Sequence, residues 1–194
     1  MIKKLLKSTK GFTLLELLVT VLIIGILATI GSTQYRRVVT KSKAAKLQTL
    51  LAAATQAVER YYLVQGSYPK SFDDLDVNID LPTTNGLDAR SNVACGSSLV
   101  SSSYKRGNDF EISLYYGGID QRYLLSAHFI DGKYKCRGFV HYFAGSGQHN
   151  GSTYCGEHYY NRACESAGCD TGIFCKNVME KNYVGSYQLM DVYR

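Results

Sequence analysis

The sequence predicts an α+β fold: a long N-terminal helix packed on a small antiparallel β-sheet and closed by a disulfide-stapled, irregular C-terminal lobe. Three observations carry this. After Lys10 and Gly11, residues 12–33, FTLLELLVTVLIIGILATIGST, run almost wholly apolar for about the length that crosses a bilayer, which takes roughly 20 residues of helix. Beyond them Leu47, Leu50, Leu51, Ala54, Ala57, Val58 and Tyr61 recur at three- and four-residue spacing, the period of one helical face. After residue 108 the pattern changes to alternating apolar and polar positions punctuated by glycine, as antiparallel strands require.

The helix is read as continuous over residues 12–65, near 80 Å at 1.5 Å per residue. It contains no proline, and Gly66 is a natural stop. Residues 12–35 form its membrane half, apolar all round. Residues 36–65 form its amphipathic half, with Arg36, Lys43, Lys46, Gln48, Glu59 and Arg60 free to occupy the faces away from the apolar stripe. A membrane anchor joined to an independent domain predicts a polar or Gly/Ser-rich linker near residue 40, and the sequence has none.

Residues 66–108 read as a connecting region. Gly66-Ser67-Tyr68-Pro69 breaks the helix, and Ser71-Phe72-Asp73-Asp74-Leu75 looks like a short turn with Ser71 as N-cap and acids in its first turn. Pro82 and Asn85-Gly86 mark turns; the remainder is expected to be mainly loop, with room for one strand near 92–100. Residues 109–143 read as a meander with strands at 110–116, 122–130 and 133–143, the last two joined by a hairpin at Asp131-Gly132. One apolar face of that meander would cover the amphipathic half of the helix. Residues 144–194 carry four cysteines and many glycines and tyrosines. An irregular lobe with one or two short elements is expected there.

The six cysteines are Cys95, Cys136, Cys155, Cys164, Cys169 and Cys175. All follow the apolar run, and an even number in an exported domain reads as disulfides. Six allow 15 connectivities, which the sequence leaves open. The preferred pairing joins Cys95 to Cys136 and closes the other four within the C-terminal lobe, which has too few apolar residues to hold itself. Each bridge would contribute about 2–4 kcal/mol.

Charge excludes one class of function. The net charge of +6 is carried by the two flanks of the apolar run: Lys3, Lys4, Lys7 and Lys10 before it, then Arg36, Arg37, Lys41, Lys43 and Lys46 after it. From Leu47 onward acids outnumber bases by two, so overall basicity is no argument for nucleic-acid binding. Lys105, Arg106, Lys133, Lys135 and Arg137 form at most a small basic patch of use in DNA uptake, and scattered surface charge accounts for them better. No G-x-S-x-G elbow, P-loop or H-E-x-x-H sequence occurs, so no catalytic residue and no cofactor is expected. His141, His149 and His158 lie among the cysteines, but no C-x₂-C pair accompanies them. Asp73, Asp74, Asp76 and Asp80 could in principle hold calcium, yet they read more simply as a solvated turn. Of the 16 tyrosines, 15 follow residue 60. Half-buried sheet and lobe positions explain them before a sticky surface does.

Glu16 is the one charge inside the apolar run. A charge at a membrane-helix centre costs roughly 2.5–3.5 kcal/mol on insertion scales, which makes such a residue a functional candidate. No cation shares the run, so its partner has to be another group, with another chain as one source. Gly11-Phe12-Thr13-Leu14-Leu15-Glu16 resembles the processing site of the type IV prepilins and the related type II secretion pseudopilins. The resemblance is sharp over residues 1–35 and holds in plan to about residue 80. It implies that residues 1–11 are a leader, that a membrane-embedded prepilin peptidase and methyltransferase cleaves after Gly11 and methylates Phe12, and that Glu16 assists assembly by meeting the Phe12 amine of a neighbour. Thr33 stands where the family often has a proline that lets the helix melt, and Gly25 and Gly31 remain as weaker points.

The function so implied is a structural subunit of a type IV pilus, a helical homo-oligomer serving adhesion, motility or DNA uptake. Its precursor would span the cytoplasmic membrane once, with the lysine-rich leader inside, and would need the inner-membrane pilus assembly machinery. Two alternatives stay open: a type II secretion pseudopilin, and a signal-anchored surface binding protein that never polymerises. An ordinary signal peptide fits less well, because the run exceeds an h-region of roughly 7–15 residues and no Ala-x-Ala-like site ends it.

Overall fold

The computed structural model describes residues 11–79, 81, 101–117, 122–144, 151–157, 173–187 and 190–194. Its first element, α1, is one 52-residue helix, Leu14–Gln65. The chain divides into two compact units, residues 1–40 and 41–194.

In the first unit the helix buries nothing. Leu15, Leu18, Val21, Leu22, Ile26 and Ile30, on all sides of it, are exposed. By length and composition the run can cross a membrane. Three of its hydroxyls turn back on the helix's own carbonyls: Thr20 Oγ1 donates to Leu17 O at 2.8 Å, Thr29 Oγ1 to Gly25 O at 2.8 Å and Ser32 Oγ to Thr29 O at 3.2 Å. The helix runs without a break through Thr33.

In the second unit the helix becomes one-sided. Ala44, Leu47, Leu51, Ala54 and Val58 are at most 2% exposed, at alternating spacings of three and four. They share a core with Ile112, Leu114, Leu125, Ala127, Phe129 and Phe139 of the sheet. Gly66, with φ at +67°, ends the helix. Tyr68 then stacks between Tyr62 and Tyr123, with ring centroids 4.4 Å apart on either side. Ser71 caps a 3₁₀ turn, Phe72–Asp74, in a full capping box with Asp74, and Phe72 enters the core.

The sheet has seven strands, all antiparallel, in the order β1-β2-β3-β4-β5-β7-β6: β1 Ser101–Arg106, β2 Phe110–Gly117, β3 Arg122–Phe129, β4 Gly138–Tyr142, β5 Ser152–Gly156, β6 Tyr183–Tyr187 and β7 Met190–Tyr193. The first two strands of the expected meander appear as β2 and β3. The third, expected over 133–143, begins five residues late. Residues 131–136 form successive turns, with Lys135 N–H on Gly132 O and Arg137 N–H on Tyr134 O, and Cys136 takes a positive φ of 64°. Gly138 then permits the close approach of β3, because a Cβ there would overlap the Ala127 carbonyl oxygen. The strand expected near 92–100 lies outside the described residues; β1 starts directly after them.

Two further features differ from expectation. The C-terminal region supplies three strands of the same sheet instead of one or two short elements, and β7 inserts between β5 and β6. The central strands β2, β3 and β4 are also buried on both faces. Opposite the core side lie Glu111, Ser113, Tyr115, Leu124, Ser126, His128, Val140, Tyr142 and Tyr154, all at most 6% exposed. Cys155 on β5 is bridged to Cys175, a pairing within the C-terminal region. Cys136 is also disulfide-bonded, while Cys95, Cys164 and Cys169 lie outside the described residues.

Candidate functional site

The residues singled out at the N-terminus sit at the mouth of α1. Gly11 and Phe12 precede the helix and are exposed, Phe12 at 81% exposure. Thr13 comes next and is the helix N-cap. Its Oγ1 accepts from Glu16 N–H at 3.2 Å, while its own N–H and its hydroxyl both donate to Glu16 Oε2 at 2.9 Å. This reciprocal capping box satisfies two donors at a helix start, where the dipole also favours a carboxylate.

Glu16 therefore has a partner within its own chain. The missing cation is replaced in part by two neutral donors from Thr13, and both bonds fall on one oxygen, leaving Oε1 to accept from a further donor. Thr13 is the residue the sequence reading overlooked. The signal was present as Thr13-x-x-Glu16 directly before an apolar run, the pattern of a capping box.

The other candidate sites dissolve into structural contacts. Asp76 accepts two hydrogen bonds from the Arg60 guanidinium at 2.9 and 2.7 Å, and these hold its carboxyl below the usual range. Asp74 serves the capping box of the 3₁₀ turn, and Asp73 meets Lys105 at 3.5 Å. Asp80, His149 and His158 lie outside the described residues, and no cluster able to hold a metal ion occurs among the described ones. The basic patch is dispersed: Arg106 turns to buried Glu111, and Arg137 is itself buried on Glu157 at 2.8 Å. Glu157 accepts there from Arg137 and from the backbone N–H groups of Phe174 and Cys175, so one carboxylate ties the end of β5 to the turn that carries the disulfide.

Glu111 and His128 form a second buried group, 3.8 Å apart. Burial pushes the Glu111 carboxyl up, against the pull of Arg106 and Ser113. Burial, helped by Arg106, pushes His128 down to about 4. Both are features of sheet packing at β2 and β3, away from any exposed cleft.

Comparison with known proteins agrees with the N-terminal geometry. Residues 6–32 match the family model described as the prokaryotic N-terminal methylation motif. The chain is 35% identical over 105 residues to fimbrial protein Q of Moraxella bovis, a stretch covering 53% of this chain and 66% of that protein. It is 36% identical over 61 residues to the type IV major pilin protein PilE of Neisseria gonorrhoeae, covering 31% of this chain and 36% of the pilin. It is 40% identical over 60 residues to fimbrial protein EcpC of Eikenella corrodens, covering 31% and 39%. The match thus spans just under two thirds of the first relative and little more than a third of the other two. No solved structure gives a significant match. The motif, the capped apolar helix packed farther along on an antiparallel sheet, and these relatives lead to one conclusion: the chain carries the prokaryotic N-terminal methylation motif and is similar to type IV pilin and fimbrial proteins.

Proposed function

We propose that this subunit is cleaved after Gly11, methylated at Phe12 and polymerised through α1 into a surface filament that serves adhesion, motility or DNA uptake. The observation that carries the reading is the capped N-terminus of α1: an exposed Gly11–Phe12 bond, then Thr13 and Glu16 locked together at the head of an apolar helix that buries nothing within its own unit. Before assembly the helix anchors the precursor in the cytoplasmic membrane, with the lysines of residues 1–10 on the inner side. There the capping box lessens the cost of holding a carboxylate near hydrocarbon, because two donors replace lost water.

Cleavage converts the Phe12 amide into an amine. That group is the charged donor the apolar run lacks, and on a neighbouring subunit it would pair with Glu16. A buried pair of this kind offsets desolvation only when geometry is good and remaining lone pairs are satisfied. Thr13 supports the second condition, since it already occupies Oε2 and leaves Oε1 for the amine. The partners are further copies of this chain, a prepilin peptidase and methyltransferase, and the inner-membrane machinery that moves subunits into the fibre.

The test is to shear the cell surface and take the intact mass of this protein in the released fraction. The expected species lacks residues 1–11 and carries one extra methyl group. A cleaved, methylated species found only in the membrane would replace the surface pilus with a secretion pseudopilin. An uncleaved species would leave an anchored surface protein.

A further inference from the structure

The last turns of α1 hold an apolar surface that the described residues of its unit leave open. Leu63 and Val64 are 81% and 79% exposed, only a turn and a half beyond fully buried Val58. They line a groove of about 420 Å³ between the end of α1 and the 3₁₀ turn, together with Arg60, Tyr61, Asp74 and Asp76. The groove has an acidic excess. Arg60 is spent on Asp76, whereas Asp74 is held by the backbone N–H groups of Lys70 and Ser71 and not by a cation. Asp73, beside the groove, is paired with Lys105 at 3.5 Å, so the excess rests on Asp74. An occupant of complementary chemistry joins apolar bulk to a positive charge.

The chain itself carries such a segment. Residues 35–38, Tyr-Arg-Arg-Val, close the apolar run with Tyr35 at 71% and Val38 at 63% exposure and with Arg36 exposed between them. The segment lies in the first unit and the groove in the second, and a filament supplies the segment from a second copy. We propose that the groove at Leu63 and Val64 receives residues 35–38 of a second copy, with Tyr35 and Val38 covering the two aliphatic side chains and Arg36 facing Asp74. The proposal rests on the pilus reading, which supplies the second copy in an ordered array. It adds a docking contact outside the Glu16 pairing, one that sets how far neighbouring subunits are offset along the helix.

The test places a photoreactive benzophenone amino acid at Val64 of the full chain. That position is exposed, so the substitution leaves the core intact. Cells are illuminated and sheared, covalent dimers are isolated from the sheared and membrane fractions, and the adduct is mapped by mass spectrometry after a non-tryptic digest. The expected adduct lies within residues 35–38, and Arg36→Glu lowers the dimer yield several-fold through like-charge repulsion with Asp74. Dimers mapped to any other segment, no dimers at all, or a yield indifferent to Arg36→Glu would each overturn the contact. Absence of the unsubstituted chain from sheared fibres would count against the pilus reading alone. The membrane fraction would then decide the contact by the same mapping.

Discussion

The two halves of α1 share one backbone and nearly nothing else. Between residues 14 and 32 the helix is almost wholly apolar and exposed throughout. Farther along, Ala44, Leu47, Leu51, Ala54 and Val58 make one buried face that is closed under a sheet. Burial within the domain stabilises the second half; the first half has no such source and needs lipid or other helices for its apolar surface. The difference teaches where each kind of mutation should act. Changes in the first half alter assembly and leave the domain alone, while changes in the second half alter the domain.

The largest expected effect tests that division at its most specific point. Glu16→Ala should insert into the membrane normally and yet fall in the sheared filament fraction by at least about tenfold, equivalent to about 1.4 kcal/mol. Filaments at the normal level would break the comparison, because the carboxylate would then be only a helix cap. The next effect lies wholly in the second unit. Glu157→Ala leaves the buried Arg137 guanidinium without its carboxylate and two backbone N–H groups without an acceptor. Loss of one partner of a buried pair costs about 3–5 kcal/mol, to be read as a lower denaturation midpoint of the full chain in detergent.

A matched pair of leucines sharpens the contrast. Leu51 is 2% exposed and Leu22 is 59% exposed on the same helix. Leu51→Ala should destabilise the domain by about 2–5 kcal/mol through the cavity it leaves, whereas Leu22→Ala should not move the same unfolding curve. Equal shifts would mean that the two halves unfold as one unit.

The smallest effect concerns pH. His128 titrates at about 4 in the folded chain against an ordinary value near 6.5. The unfolded chain therefore binds the proton first as pH falls, and stability drops between about pH 6.5 and pH 4. Glu111, pushed upward by burial, takes up its proton earlier in the folded state and opposes that loss. His128→Gln should remove the descending contribution and leave a flatter or rising profile toward acid. An unchanged acid limb would place the sensitivity elsewhere.

Much of this was legible in the residues. The continuous helix, its switch from all-round to one-sided apolarity, the stop at Gly66, the capped turn at Ser71 and the hairpin of β2 and β3 follow from periodicity and capping chemistry that act within a few residues of one another. The methylation motif was legible through the resemblance of residues 11–16 to a prepilin processing site. The late start of β4 was not, since it depends on how closely Gly138 approaches Ala127 across the sheet. The strands of the C-terminal region were missed because they are short, four or five residues each, and rich in glycine and tyrosine. Thr13 differs: its capping-box pattern with Glu16 stands in the sequence, but the expected partner of Glu16 was a group on a neighbouring chain.

The sequence by itself determined the elements whose cause is local. Hydrophobic period decides what is helix and which face is apolar, and a cap or a glycine decides where the helix begins and ends. Only the tertiary structure decided the insertion of β7 between β5 and β6, the burial of β2, β3 and β4 on both faces, the pairing of Cys155 with Cys175, and the use of Glu157 as a joint for Arg137 and the turn at Phe174 and Cys175. Those outcomes join residues tens of positions apart. They are set by which distant surfaces exclude water together and by the need of each buried charge for a donor, conditions that no short window of sequence contains.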